Sequence, residues 1–253
     1  MKKIKIMMVL MFLALAGFGQ IVIPDDTIKN QTDGQGLKQG YWEEMVGSAK
    51  TIGTYVDGQR HGTWLFYHPN DVIQSIQTYN MGNKEGLFVE IEKRGYYVSE
   101  KFYKADVLHG PARTFDRGSR LILEENYRNG LQEGERIAFY DNGQTQEESH
   151  FEDGLKDGPS IWYSRDGKLI AEYNYRQGEF EGIQKTYYDD GAPMTEETYS
   201  HNLRQGPFRE YYQDGTLKTE GEYDNNLKNG VWKEYNADGS IASQLKYRKG
   251  EKK

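Results

Sequence analysis

One feature constrains this chain before any other: glycine returns every 24 residues, at Gly62, Gly86, Gly110, Gly134, Gly158, Gly182, Gly206 and Gly230. An aromatic residue keeps the same interval, at Tyr55, Tyr79, Tyr103, Tyr127, Phe151, Tyr175, Tyr199, Tyr223 and Tyr247. Two residue types locked to one period define a repeat array, in which each unit buries its apolar face only against its neighbours. Gly36 and Gly40 open an earlier unit two residues short of the period, as an atypical end cap would.

Each unit reads as a β-hairpin. In the unit from Gly206, Phe208 to Tyr212 is strand-like, Asp214-Gly215 is a turn, and Leu217 to Tyr223 is strand-like again. Asn142-Gly143, Asp166-Gly167, Asp190-Gly191 and Asp238-Gly239 hold the same place, and Asx-Gly predicts a two-residue type I′ turn with two positive φ angles. A second glycine-marked connection, such as Asp153-Gly154-Leu155-Lys156-Asp157-Gly158, joins successive hairpins, and Lys156 reads there as neutral surface. Pro111, Pro159 and Pro207 follow the periodic glycine in alternate units and mark strand starts, because proline cannot donate to a ladder. The turn fixes a register: Arg209 opposite Glu220, Tyr211 opposite Lys218, Arg113 opposite Glu124, Lys185 opposite Glu196, and Leu65 opposite Ile76.

Those residues resemble the MORN repeat in its bacterial variant form. The pattern is Tyr-x-x-Gly-x-x-x-Gly, an aromatic strand, Asx-Gly and a Glu-bearing strand, as in Tyr175 to Gly182 and Tyr187 to Gly191. Asp106, Asn202 and Asn226 replace the first glycine, and Asn and Asp best tolerate left-handed backbone. The resemblance implies an all-β fold, an elongated single array of stacked antiparallel hairpins that binds partners and does no chemistry. Members of this kind, exported or cytoplasmic, are often labelled antitoxin-like.

Composition narrows the function classes. Leu, Ile, Val and Phe make up about a fifth of the chain, near the limit below which chains fail to bury a core. The 20 tyrosines and 29 glycines supply the missing order, because both fall in register. The net charge of −7 argues against an electrostatic hold on nucleic acid. The absence of cysteine excludes disulfides, thiolate metal sites and a cysteine nucleophile. His61, His68, His109, His150 and His201 follow neither the period nor a ligand spacing, so neither a metal nor a cofactor is expected.

Residues 1–19 read as a secretory signal peptide: Lys2, Lys3 and Lys5 precede an apolar run from Ile6 to Ala16, and Gly17 and Gly19 are small enough for cleavage before Gln20. A run of that length rises about 16 Å as a helix, short of a bilayer's ~30 Å core. The mature chain is therefore expected in the periplasm or outside the cell, with no integral membrane span. The expected divisions are a flexible lead-in over 20–35, the array over 36–250, and a basic tail over 251–253 that guards the edge of the last strand.

Two rows are candidates for binding. Glu100, Glu124, Glu148, Glu172, Glu196 and Glu220 lie two strands apart, roughly 9.6 Å, about a Debye length at physiological salt, and read foremost as a charge-paired ladder. Tyr163, Tyr187, Tyr211 and Tyr235, with Tyr188 and Tyr212 on the opposite face, combine apolar bodies with polar tips suited to a protein or a glycan. The functional expectation is an exported, non-enzymatic scaffold for a protein partner. A cell-wall or glycan binder and an antitoxin-like neutraliser of a partner toxin are the alternatives.

Overall fold

The computed structural model describes residues 28–253; the leader expected over 1–19 and the start of the lead-in lie outside them. All regular structure among the described residues is strand, in one antiparallel sheet of 22 strands that ends in two open edges. Successive hairpin strands pair with one another, from Lys38–Val46 beside Ala49–Val56 to Leu227–Tyr235 beside Ile241–Arg248, and two of them are broken into a short and a longer piece, Leu131–Gln132 with Gly134–Phe139 and Glu179–Phe180 with Gly182–Tyr187.

Two kinds of turn alternate, and they are exchanged relative to the sequence expectation. The connections between hairpins carry the type I′ turns. Asp153 and Gly154 both have positive φ, 48° and 84°, and join the paired residues Glu152 and Leu155. Asp106, Asn202 and Asn226 adopt the expected left-handed backbone at this site, with φ of 67°, 63° and 66°.

Within hairpins, Asx-Gly ends a three-residue loop. The Tyr212 N–H donates to the Thr216 carbonyl at 2.8 Å, the Gly215 N–H donates to the Tyr212 carbonyl at 2.9 Å, and among Gln213, Asp214 and Gly215 only the glycine has positive φ. This is a type I turn closed by a glycine bulge. Asp214 accepts from the Thr216 N–H at 2.8 Å, which holds the turn from the side chain.

The extra loop residue moves the register by one beside each such turn. Glu210 faces Thr219, but Tyr211 faces Leu217, so the expected Tyr211–Lys218 pair does not form. Lys218 instead reaches the Glu210 carboxylate at 2.6 Å. Further from the turn the expected pairs stand: Arg209 with Glu220, Arg113 with Glu124, Lys185 with Glu196, and Leu65 with Ile76.

The periodic glycine has a different task. Near Gly158, Asp157, Gly158 and Pro159 together oppose His150 alone, because Ser149 pairs with Ser160 and Phe151 with Lys156. Gly158 bends the strand there with a φ of 95°.

Side chains alternate across the sheet, and every buried side chain except Val89 lies on one face. On this face Tyr55, Trp64 and Trp232 are buried, together with small residues such as Ser75, Ser99 and Ala171. Phe88 sits between Tyr79 and Tyr103, with ring centroids 5.5 and 4.8 Å away. Basic side chains cover the rings and join successive units: Lys84 lies 5.4 Å from Phe88 and 4.8 Å from Tyr103, and Lys228 lies 4.0 Å from Trp232 and 5.4 Å from Tyr247. A sheet without a second layer thus protects itself with aromatic rings and lysine stems.

Residues 28–35 and 251–253 do not hang free. Gln31–Thr32 pairs with Gln39 and Lys38, and Glu251–Lys252 pairs with Arg248 and Tyr247. The array therefore runs past both boundaries expected from the sequence.

Candidate interaction face

The opposite face carries one continuous line of side chains, one from each successive strand crossing. It starts with Glu43, Ile52, Leu65, Ile76 and Val89, each paired with the next. It continues through Glu100, Arg113, Glu124, Ile137, Glu148 and Ile161. It ends with Glu172, Lys185, Glu196, Arg209, Glu220, Lys233 and Gln244.

Three chemical zones follow along this line. The first is apolar, because Ile52 and Ile76 take the glutamate position and Leu65 and Val89 take the cation position. The third is ion-paired. Glu196 lies 3.3 Å from Lys185 and 3.8 Å from Arg209, and Glu220 lies 2.9 Å from Lys233. Hydrogen bonds from Tyr235 and Lys233 hold the Glu220 carboxyl below its ordinary range.

In the middle zone the pairing lapses. Arg113 still bridges Glu124 at 2.7 Å and Glu100 at 3.5 Å. Glu148, however, sits between Ile137 and Ile161, and no ion pair to it or to Glu172 occurs among the described residues. Four of the six row glutamates are therefore charge-paired and two are not: the hairpin register places a cation opposite Glu124, Glu196 and Glu220, and Glu100 gains Arg113 from the next hairpin.

The tyrosines divide likewise. The Tyr163 hydroxyl lies 3.5 Å from Glu148, that of Tyr211 3.3 Å from Glu196, and that of Tyr235 2.7 Å from Glu220. Tyr187 stands in the same relation to Glu172; burial, with the carboxylate beside it, pushes its pKa up to about 12. These four share the glutamate face. Tyr188 and Tyr212 do not join them. Their hydroxyls donate to the backbone carbonyls of Tyr211 and Tyr235, each the last residue of a strand in the following unit, at 2.7 and 2.8 Å.

The sequence reading missed a charged cluster on the aromatic face. The Glu147 side chain is only 6% exposed; it accepts from Arg136 at 2.6 Å and from Ser160 at 3.0 Å, and it is paired with Lys156. Lys156 also lies 5.1 Å from the Tyr175 ring, so it is part of the packing and not neutral surface. Alternation carries the signal: Glu147 precedes the row residue Glu148 by one and must point the other way. No group of three or more His, Asp or Glu side chains placed to hold a metal ion occurs among the described residues. No helix among them is long and apolar enough to cross a membrane.

Hairpins stacked at 24-residue intervals, joined by cross-strand rows on both faces, define a hairpin-repeat protein. The family model described as MORN repeat variant matches six units, over residues 60–81, 132–153, 156–177, 180–201, 204–225 and 228–249. These cover more than half of the chain, and the chain belongs to the MORN repeat variant family. Residues 82–131 lie between matches and hold two further hairpins in the same register, one of them with the irregular turn at Gly118-Ser119. Repeats of this family are generally interaction modules without a catalytic role. No curated protein matches the chain. Among solved structures, a Photorhabdus luminescens Tc holotoxin pore (mutation TccC3-D651A) aligns with 87% of this chain and 16% of its own, at 13% identity and a TM-score of 0.15. A likeness that slight carries no argument.

Proposed function

We propose that this chain is an exported, non-enzymatic scaffold that binds a protein partner through the middle of its glutamate face. The observation that carries the reading is the lapse in charge pairing at Glu148, whose neighbours across the strands are Ile137 and Ile161. Elsewhere along the row, at Glu100, Glu124, Glu196 and Glu220, the array pairs its own carboxylates, whereas here acid, apolar side chain and tyrosine stand together. That mixture suits the core and rim of a protein interface. Export rests on the composition of residues 1–19, with their charged start, apolar run and small residues before Gln20.

The test is capture from envelope fractions by the mature chain, with Ile161→Arg as the control. Ile161→Arg sets a cation between Glu148 and Glu172 and extends the ion-paired pattern across the middle zone. A partner retained by the wild type, lost with Ile161→Arg and indifferent to added sugars fits the proposal. Release by sugar, or equal retention by both chains, contradicts it.

A further inference from the structure

The first zone of the glutamate face is an apolar strip on an open sheet. Ile52, Leu65, Ile76 and Val89 follow one another across four adjoining strands, and Val89 is only 4% exposed. Among the described residues no second layer covers the strip, and at its corners Met45 and Tyr97 are 63% and 38% exposed. An apolar sheet face with a polar rim marks a contact surface.

The strip reads alike from both ends. Its central line runs acid, four apolar side chains, acid: Glu43, Ile52, Leu65, Ile76, Val89, Glu100. Residues paired across strands share a face, which adds two flanking rows. Beside the connections between hairpins the row starts with Tyr41 next to Thr54 and ends with Leu87 next to Phe102. Beside the turns within hairpins it starts with Met45 next to Lys50 and ends with Ile91 next to Tyr97. A strip with this internal symmetry suits an isologous contact, in which the same patch serves on both copies. A different protein would place no such demand on it.

We infer that two copies of the chain pack face to face through this strip, about a two-fold axis parallel to the strands and midway between Leu65 and Ile76. The result is a local two-layered sandwich with its sheets about 10 Å apart. Leu65 then meets Ile76 of the second copy, and Ile52 meets its Val89. Tyr41 meets Phe102 and Met45 meets Tyr97. Lys50 lays its stem on Ile91, while its ammonium stays 4.7 Å from the Tyr67 ring and 3.9 Å from Asp71. The ends interlock by charge. Glu43 has Lys29 at 3.2 Å and Glu100 has Arg113 at 3.5 Å, so each acid finds the other copy's cation beside it. In later units Lys185, Glu196, Arg209 and Glu220 occupy the same line, so the contact stops there and the zone around Glu148 stays free. The inference thus goes beyond the proposed function, and either can fail without the other.

Sedimentation equilibrium over a concentration series tests it on the mature chain. The wild type is expected to show a monomer–dimer equilibrium and no larger species. Leu65→Lys with Ile76→Glu installs at the axis the ion pair that Lys185 and Glu196 make at the equivalent positions, 3.3 Å apart. This double variant is expected to weaken the dimer by about a hundredfold or more, because the apolar contacts at the axis are lost from both copies. Cross-linking tests the geometry, and the absence of cysteine gives it a clean background. Met45 and Tyr97 stand five strands apart within one chain, roughly 24 Å, so a short bis-maleimide joins them only between copies. A mixture of Met45→Cys and Tyr97→Cys chains is expected to yield cross-linked dimer, and either variant alone to yield little. Both positions are exposed, so cross-linking decides the matter should the double variant fail to fold. A wild type that is monomeric throughout, a folded double variant that dimerises as tightly as the wild type, or single-cysteine chains that cross-link as well as the mixture would each overturn the inference.

Discussion

The Tyr188 hydroxyl donates to the backbone carbonyl of Tyr211, 2.7 Å away and one unit further along the array. Tyr140 and Tyr212 do the same to Tyr163 and Tyr235, at 2.9 and 2.8 Å, and His68 meets the Ile91 carbonyl at 2.8 Å. In these four units a ring beside the hairpin turn thus ties one unit to the next. Tyr188→Phe and Tyr212→Phe should each lower stability by about 1 kcal/mol, since each leaves a carbonyl without its partner. Partner capture should be unchanged for both. Denaturant unfolding and the capture assay check this; normal stability with lost capture would place these two hydroxyls in the interface.

Gly53 and Gly221 lie under tryptophans. A Cβ built on Gly53 would fall 2.2 Å from Cδ2 of Trp64, and one on Gly221 would fall 2.2 Å from Cδ2 of Trp232. Neither glycine has positive φ, so the constraint is space and not backbone angle. Gly53→Ala should cost about 1–3 kcal/mol through displacement of the buried ring. Gly34→Ala, with nothing within 4 Å, should leave the melting temperature unaltered. Equal melting temperatures for the two variants would show that the Trp64 ring can move freely.

The buried carboxylate of Glu147 makes stability depend on acid. Burial raises its pKa, but Lys156, Arg136 and Ser160 together outweigh burial and hold it below the ordinary carboxylate value. With the folded value below the unfolded one, the contribution is complete above about pH 4.3 and disappears as pH falls through the folded value. Lys156→Ala should cost about 2–3 kcal/mol at neutral pH, because Glu147 is then left with Arg136 and Ser160 alone. The loss should shrink as pH drops below 4. Unfolding titrations at pH 7 and pH 3 measure it, and an equal loss at both values would reject the pairing.

The sequence made the architecture readable because a 24-residue period admits few solutions, and the cross-strand pairs Arg209–Glu220 and Leu65–Ile76 fall where hairpin counting puts them. Turn class was not readable from the dipeptide. Asp153-Gly154 and Asp166-Gly167 look alike, yet only the first pair has two positive φ angles, because loop length and not residue type separates them. The face of a row was readable by alternation, which divides Glu147 from Glu148. Its pairing was readable only within a hairpin: counting puts Ile137 opposite Glu148 and Arg113 opposite Glu124, whereas Ile161 beside Glu148 and Arg113 beside Glu100 come from the next unit. The contact of Asn30 with Glu43 was not readable because it is made through a side chain, which no strand pattern registers.

The sheet is open and grows by two strands per unit. Eight units at about 4.8 Å per strand extend it by roughly 77 Å before twist. A compact domain of this length would have a radius of gyration near 17–18 Å, and a rod so extended about 22 Å or more. Small-angle scattering from the mature monomer at low concentration measures this quantity directly. The open array predicts a value of about 22 Å or above, and a value below about 19 Å would contradict it in favour of a closed barrel or sandwich.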